Sequence, residues 1–425
     1  MVVLALFFIL LFLGMPIGFT LGLAGLAGII DAGGTSFLSM APKRFFAGLN
    51  LFPFLAMPFF ILAGEIMNHT GITHRLVQFA ETLVGYLRGG LAHTNMVASV
   101  FFAGITGAAT ADAAAFGKTL VPAMVKQGYS RPFACAVTAA GSIIGPTIPP
   151  SSLMVIYGSI MGVSIGGLFA AGILPGLLIC LVCMCIIAAM ARRLNLPKAA
   201  SAPSLMDILR AFRSSLVALI MPLIILGGIL GGIVTPTEAA SVAVAYALFV
   251  GVVIYRAITF DDLVQMLIRT ARVTGVIFLI IASASVLGWW LAFEKIPQAL
   301  AAGFLSLSSD PSMIILMLLA MLLVIGMFMD ITAMLIILAP VLAPLTASIG
   351  MEPVHAGVVF VLALNISLMT PPVGACLFVL SSVTGETIER IAVSLWPFII
   401  AEMGVLLVIA FWPDLTMFLP RLLGF

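Results

Sequence analysis

The sequence predicts an all-α polytopic membrane protein built from two inverted repeats, each with a re-entrant hairpin and a broken helix. Three observations predict it: the composition, a self-match at a shift of 222 residues, and a lopsided distribution of basic residues. Of 425 residues, 63% are hydrophobic and 8% charged, whereas a soluble domain carries about 25% charged residues. That much apolar surface has no place in a water-soluble core of this size. It falls in blocks at 52–64, 164–191, 215–234, 236–255, 273–293, 312–329 and 391–412. Most of these are long enough to cross a hydrocarbon layer of roughly 30 Å as helices. Membrane β-strands would instead show short alternating segments.

Along the chain, the N-terminal run has no basic leader region, so residues 1–30 read as a retained helix loosened at Gly14-Met15-Pro16 rather than a cleaved signal. A net charge of +2 gives no reason to expect a nucleic-acid partner. The Cys180, Cys183 and Cys185 spacing resembles a metal set, but no His or further Cys adjoins it. The alternative is small apolar packing, which thiols do well. Residues 71–88 and 259–272 are amphipathic at helical spacing. Both suit helices lying along the membrane interface, either as rigid arms or as simple connectors.

The self-match fixes the repeat. Gly104 falls on Gly326, Thr110 on Thr332, Pro122 on Pro344 and Gly128 on Gly350; Pro149-Pro150 falls on Pro371-Pro372, and Pro175 on Pro397. Gly and Pro mark backbone exceptions, so their agreement is agreement in chain geometry. Two halves with broken helices are the sequence sign of a secondary transporter. The first repeat is expected over 1–213: scaffold and arm 1–90, hairpin and broken helix 91–163, helix 164–191, cytoplasmic loop 192–213. The second is expected over 214–425: scaffold and arm 214–308, hairpin and broken helix 312–385, last helix 390–412.

Loop charge then sets the hand. With the stretch from Arg192 to Arg213 inside, 13 basic residues fall on the cytoplasmic side and 4 (Lys43, Arg44, Lys295, Arg421) outside, with Lys118 set aside in a hairpin. The hairpin mouths then face opposite sides, the N-terminus is cytoplasmic and the C-terminus extracytoplasmic.

The breaks read Gly141-Ser-Ile-Ile-Gly-Pro-Thr-Ile-Pro-Pro-Ser-Ser152 and Asn365-Ile-Ser-Leu-Met-Thr-Pro-Pro-Val-Gly374. A Pro pair removes two donors and frees carbonyls one turn earlier. At membrane depth such backbone survives only inside protein or beside a wet cavity. Freed carbonyls with neighbouring hydroxyls make a hard-oxygen site suited to Na⁺; the half-helix N-terminus beyond suits an anion. The alternative is a structural kink. The hairpins, Gly104–Gly117 and Gly326–Thr332, place Asp112 and Asp330 at membrane depth, as cation ligands, proton carriers or helix caps. Glu238, after Thr235-Pro236-Thr237, reads as a cap; Glu65 ends its helix and Glu402 faces a helical neighbour. Gly117-Lys118-Thr119 mimics a P-loop end, but Asp112 stands where its earlier Gly is required, so no ATP drive is indicated. His69, His74, His93 and His355 form no ligand cluster.

These motifs together resemble the large membrane subunit of tripartite ATP-independent periplasmic transporters. The stretches are Met57-Pro-Phe-Phe60 to Gly71-Ile72, Gly104–Gly117, Lys126-Gln-Gly-Tyr129, Pro149-Pro-Ser151, Thr235-Pro-Thr-Glu-Ala-Ala240 and Thr370-Pro-Pro-Val-Gly374. The resemblance implies an elevator-type transporter of the bacterial inner membrane. It implies Na⁺ as the coupling ion with no other cofactor and no ATPase. Its implied cargo is a small organic anion such as a C4-dicarboxylate or sialic acid. Its implied partners, besides the lipid bilayer, are a small four-helix membrane subunit and a periplasmic binding protein. It further implies one sodium site at Thr106, Gly107, Gly145, Ile148 and Pro150 and another at Met329, Asp330, Thr370 and Pro372. The matched hydroxyls Thr110 and Thr332 join these sets. Asp112, Thr147, Ser151, Ser152, Asn365, Ser367 and Gly374 are the candidate substrate contacts. Two positions depart from the family pattern: Thr106-Gly107-Ala108 stands where Ser-Gly-Ser is usual, and Cys376 where Asn is usual. The competing readings are a stand-alone Na⁺/dicarboxylate symporter, a passive anion channel and an intramembrane enzyme; the last lacks a nucleophile–base pair.

Overall fold

The computed structural model describes residues 2–198 and 202–425. Among the described residues every regular element is a helix, and eight stretches are long and apolar enough to cross a membrane. The expected loosening near the N-terminus is a full break between Val2–Phe12 and Ile17–Gly33, where Pro16 has no N–H to continue the ladder.

Helix starts carry their expected chemistry. Ser204, Thr235 and Thr259 each form a reciprocal capping box with Asp207, Glu238 and Asp262. Glu238 is therefore the cap its sequence context indicates. The boundaries follow the sequence shift: Ala109–Lys126 and Ile331–Ser348 both start and end 222 residues apart. Arg131–Ser142 and Pro353–Ser367 likewise start 222 apart.

One expected element is corrected. Residues 259–272 are not a separate interfacial helix; they open the continuous helix Phe260–Phe293. No Pro or capping residue interrupts it after Thr259, and Gly275 alone does not stop a helix. A shift of 222 carries Ile72–Val84 onto positions 294–306, where the short helix Ile296–Leu307 lies instead.

Helix Ile17–Gly33 makes its main contact along Phe260–Phe293. Gly18, Gly22, Gly25 and Gly28 form the contact stripe, meeting Leu279, Ser283, Leu287 and Trp290. Small residues at this spacing let helix backbones approach closely in lipid. A Cβ on Gly25 would lie 2.7 Å from the Leu287 amide nitrogen, which is backbone and cannot swing away. Gly25→Leu is therefore expected to cost about 1–3 kcal/mol or more of stability. A lowered unfolding midpoint of the purified protein checks this.

The helices on either side of the breaks are the most enclosed part of the fold. The span Arg131–Met161 is 94% buried over its most apolar window, so it faces protein and not lipid. Every residue of Pro353–Ser367 beyond its first two is also buried. The first break thus sits where its polar groups are shielded from hydrocarbon.

Candidate functional site

The first hairpin joins Gly90–Thr106 to Ala109–Lys126 through Gly107 and Ala108. Gly107 takes a left-handed φ of 56° that reverses the chain. Any Cβ there would also overlap the Pro150 carbonyl oxygen, so hairpin tip and first break touch backbone to backbone. The break follows the short turn Ile144–Thr147: Ile148 is extended, and Ser151 caps Ser152–Met161 by accepting from the Met154 amide at 3.4 Å. Ser152 Oγ donates back to the Gly107 carbonyl at 3.4 Å. The Pro149-Pro150 and Pro371-Pro372 peptide bonds are both cis.

Asp112 is fully buried behind this contact. Thr106 Oγ1 donates to its Oδ1. Its Oδ2 has no hydrogen-bond partner and lies against Gly145, where any side chain would overlap it. The structure thus gathers Thr106, Gly107, Asp112, Gly145, Pro150, Ser151 and Ser152 at one place, whereas the Ile148 side chain packs against Gly176. Thr110 is half-buried on the same hairpin turn.

The two breaks are linked across the centre. Asn365 Nδ2 donates to Thr147 Oγ1 at 3.3 Å, and Thr147 Oγ1 donates to the Ile143 carbonyl at 2.7 Å. The Asn365 Oδ1 is buried without a partner. Buried polar atoms are almost always partnered. Three unpartnered oxygens, Asp112 Oδ2, Asn365 Oδ1 and Glu402 Oε2, thus belong to residues singled out from sequence, the first two of them at the breaks.

The second hairpin and break are more open. Asp330 is exposed and caps Ile331–Ser348, accepting from the Thr332 and Ala333 amides at 2.9 and 3.0 Å. Met329 and Thr332 are half-buried, Pro372 is exposed and Gly374 is buried. Thr370 donates to the Ile366 carbonyl at 2.7 Å, and Ser367 to the Leu364 carbonyl at 2.6 Å. Ser367 also packs against Gly326. Among the described residues, no hydrogen bond joins Asp330 to Thr370 or Pro372. Of the candidate substrate contacts, only Ser152 is not fully buried.

Some relations escaped the sequence because they join distant segments. Cys183 donates to Glu402 Oε1 at 3.2 Å across two long helices, giving one of the cysteines a carboxyl neighbour. Ser142 Oγ donates to Cys376 Sγ at 3.6 Å, so the departure at 376 lies beside the first break. Glu65 lies 4.0 Å from Arg269. Buried His355 pairs with Thr416 at 2.7 Å.

An all-helical bundle with two Pro-Pro breaks, the first buried against a hairpin turn and the second more open, has the architecture of a polytopic membrane transporter. The same fold is found in the Alcanivorax borkumensis YdaH transporter, with a TM-score of 0.61 at 15% identity over 91% of this chain and 90% of that one. The family model for the DctM component of the tripartite ATP-independent periplasmic transporters matches residues 4–415. The chain belongs to that family and is a large permease component. It is 40% identical to the sialic acid TRAP transporter large permease protein SiaM of Vibrio cholerae, over 97% of this chain and 96% of SiaM. It is 37% identical to the C4-dicarboxylate TRAP transporter large permease protein DctM of Pseudomonas aeruginosa, over 95% of this chain and 94% of DctM.

Proposed function

We propose that this permease carries a small organic anion, of the sialic acid or C4-dicarboxylate class, across the bacterial inner membrane together with Na⁺. The observation that carries the proposal is the buried, half-satisfied carboxylate of Asp112. A buried charge without a partner is costly, whereas a hard cation against Oδ2 would offset that cost. The Thr106 hydroxyl adjoins it, and the next residue, Gly107, meets the Pro150 carbonyl, so further oxygen donors stand on the same hairpin turn. This reading moves Asp112 from the substrate set to the sodium set, because a fully buried group does not meet an aqueous anion. The second sodium set, around Met329, Asp330, Thr332, Thr370 and Pro372, rests on the sequence correspondence with the first.

The exposed edge of the breaks, Ser152 together with Pro372 and the N-terminus of Ala375–Thr384, is the proposed substrate side. The repeats at 1–213 and 214–425 are read as inverted, with hairpins and broken helices moving as an elevator against the helices around Phe260–Phe293. The proposed partners are a small four-helix membrane subunit and a periplasmic binding protein that delivers the anion. The N-terminus is read as cytoplasmic and the C-terminus as periplasmic.

The test is uptake of labelled N-acetylneuraminate and labelled succinate into proteoliposomes holding the assembled membrane subunits. One of the two is expected to accumulate only with an inward Na⁺ gradient and added cognate binding protein. Accumulation without the binding protein would establish the stand-alone symporter instead.

A further inference from the structure

An apolar groove of about 370 Å³ lies beside the first break, and Asp112 is not among its lining residues. One wall is Phe101, Gly104 and Pro149; the other is Leu216, Leu219 and Leu223 of helix Leu205–Leu230. At its floor, Gly104 touches Pro222, and any side chain at Gly104 would collide with that ring. From Phe212 at one end to Leu226 at the other, the helix rises about 21 Å, comparable to the depth of one leaflet. The outer lip is open, with Leu223 67% exposed.

The charge lies at one end only. Arg213 continues the Leu216–Leu219–Leu223 stripe one turn beyond Leu216, and Arg210 stands one turn beyond that. Both are exposed, and neither joins an ion pair among the described residues. The nearest acid on this helix, Asp207, is spent on the Ser204 cap. An apolar slot one leaflet deep with two free guanidinium groups at its polar end has the shape and charge of a phospholipid anion.

We infer that an anionic phospholipid binds here, with one acyl chain in the groove and its phosphate on Arg210 and Arg213. Seated between the first break and helix Leu205–Leu230, the chain fills space that would otherwise be a void. It also yields when the two slide, as a rigid side chain would not.

The experiment is native mass spectrometry of the full chain, loaded with phosphatidylglycerol or with phosphatidylcholine of the same acyl composition. The wild type is expected to retain phosphatidylglycerol in preference. That preference is expected to fall about 5-fold for each arginine removed in Arg210→Ala and Arg213→Ala. The Arg210→Lys, Arg213→Lys pair should keep most of it, which separates lost charge from lost fold. Leu219→Trp, filling the groove with the arginines intact, should lower retention of both lipids. Equal retention of the two lipids by wild type and the double Ala variant would overturn the inference. So would full displacement by inorganic phosphate, which would assign the arginines to a free anion. A membrane protein co-purifying in place of lipid, and lost in Leu219→Trp, would assign the groove to a partner helix and likewise overturn it.

Discussion

Asp112→Asn is expected to abolish Na⁺-driven uptake while leaving the fold intact. Asn matches Asp in size, so the buried site keeps its packing and can still accept from Thr106 Oγ1. What it loses is the one charge that faces Gly145 and has no hydrogen-bond partner on Oδ2. Removing one partner of a buried charge interaction costs about 3–5 kcal/mol. Half-saturation for Na⁺ should therefore rise about 100-fold or more, beyond any usable gradient. A Na⁺ titration of uptake at fixed anion concentration checks this, with an unfolding curve to show that the variant is folded. An unchanged Na⁺ dependence would remove Asp112 from the cation site.

The second large effect is expected from Pro149→Ala combined with Pro150→Ala. The chain between Ile144–Thr147 and Ser152–Met161 is extended at Ile148. Alanine restores two amide donors and favours a helical backbone over proline by about 3 kcal/mol at each position. A continuous helix through 144–161 would withdraw the Pro150 carbonyl from the hairpin turn at Gly107. It would also withdraw the Ser151 cap. Na⁺-driven uptake should fall more than about tenfold, because the competent broken state becomes a minor population. Normal membrane insertion is expected, since the span keeps its apolar length. Wild-type Na⁺ dependence in the folded double variant would show that the break is a kink and not a site.

The parts that were legible from sequence share one physical character. Pro149-Pro150, Pro371-Pro372, Gly107 and the Thr235–Glu238 box act on the backbone within one turn of themselves. Local chemistry therefore announces them. The 222-residue shift was legible for the same reason, and the helices starting at 109 and 331 keep it. What was not legible depends on contacts far apart in the chain. Asn365 meets Thr147, and Glu402 meets Cys183, each more than 200 positions away. No periodicity reports such a pair.

The difference between the two sites is of this kind also. Asp112 and Asp330 both read from sequence as hairpin carboxylates at membrane depth, though the 222-residue shift sets Asp112 on Met334 and Asp330 on Ala108. In the fold, Asp112 is buried with one free oxygen, whereas Asp330 is exposed and uses its Oδ1 on the Thr332 and Ala333 amides. Which carboxylate keeps an unpartnered oxygen is decided by packing around the tip, which one sequence does not display. The long helix Phe260–Phe293 shows the converse error. Its amphipathic opening reads as a separate element because Gly275 follows Arg269 and Arg272 as a helix end would, yet the helix runs through it.

The account stands on coupled movement of Na⁺ and anion through one chain. The direct measurement is simultaneous entry of ²²Na⁺ and labelled anion into proteoliposomes holding the assembled transporter and its binding protein. A fixed ratio of Na⁺ to anion across a range of gradients is expected for the wild type, and loss of both fluxes together in Asp112→Asn. Anion entry that proceeds without accompanying ²²Na⁺, at the same rate in wild type and variant, would contradict it.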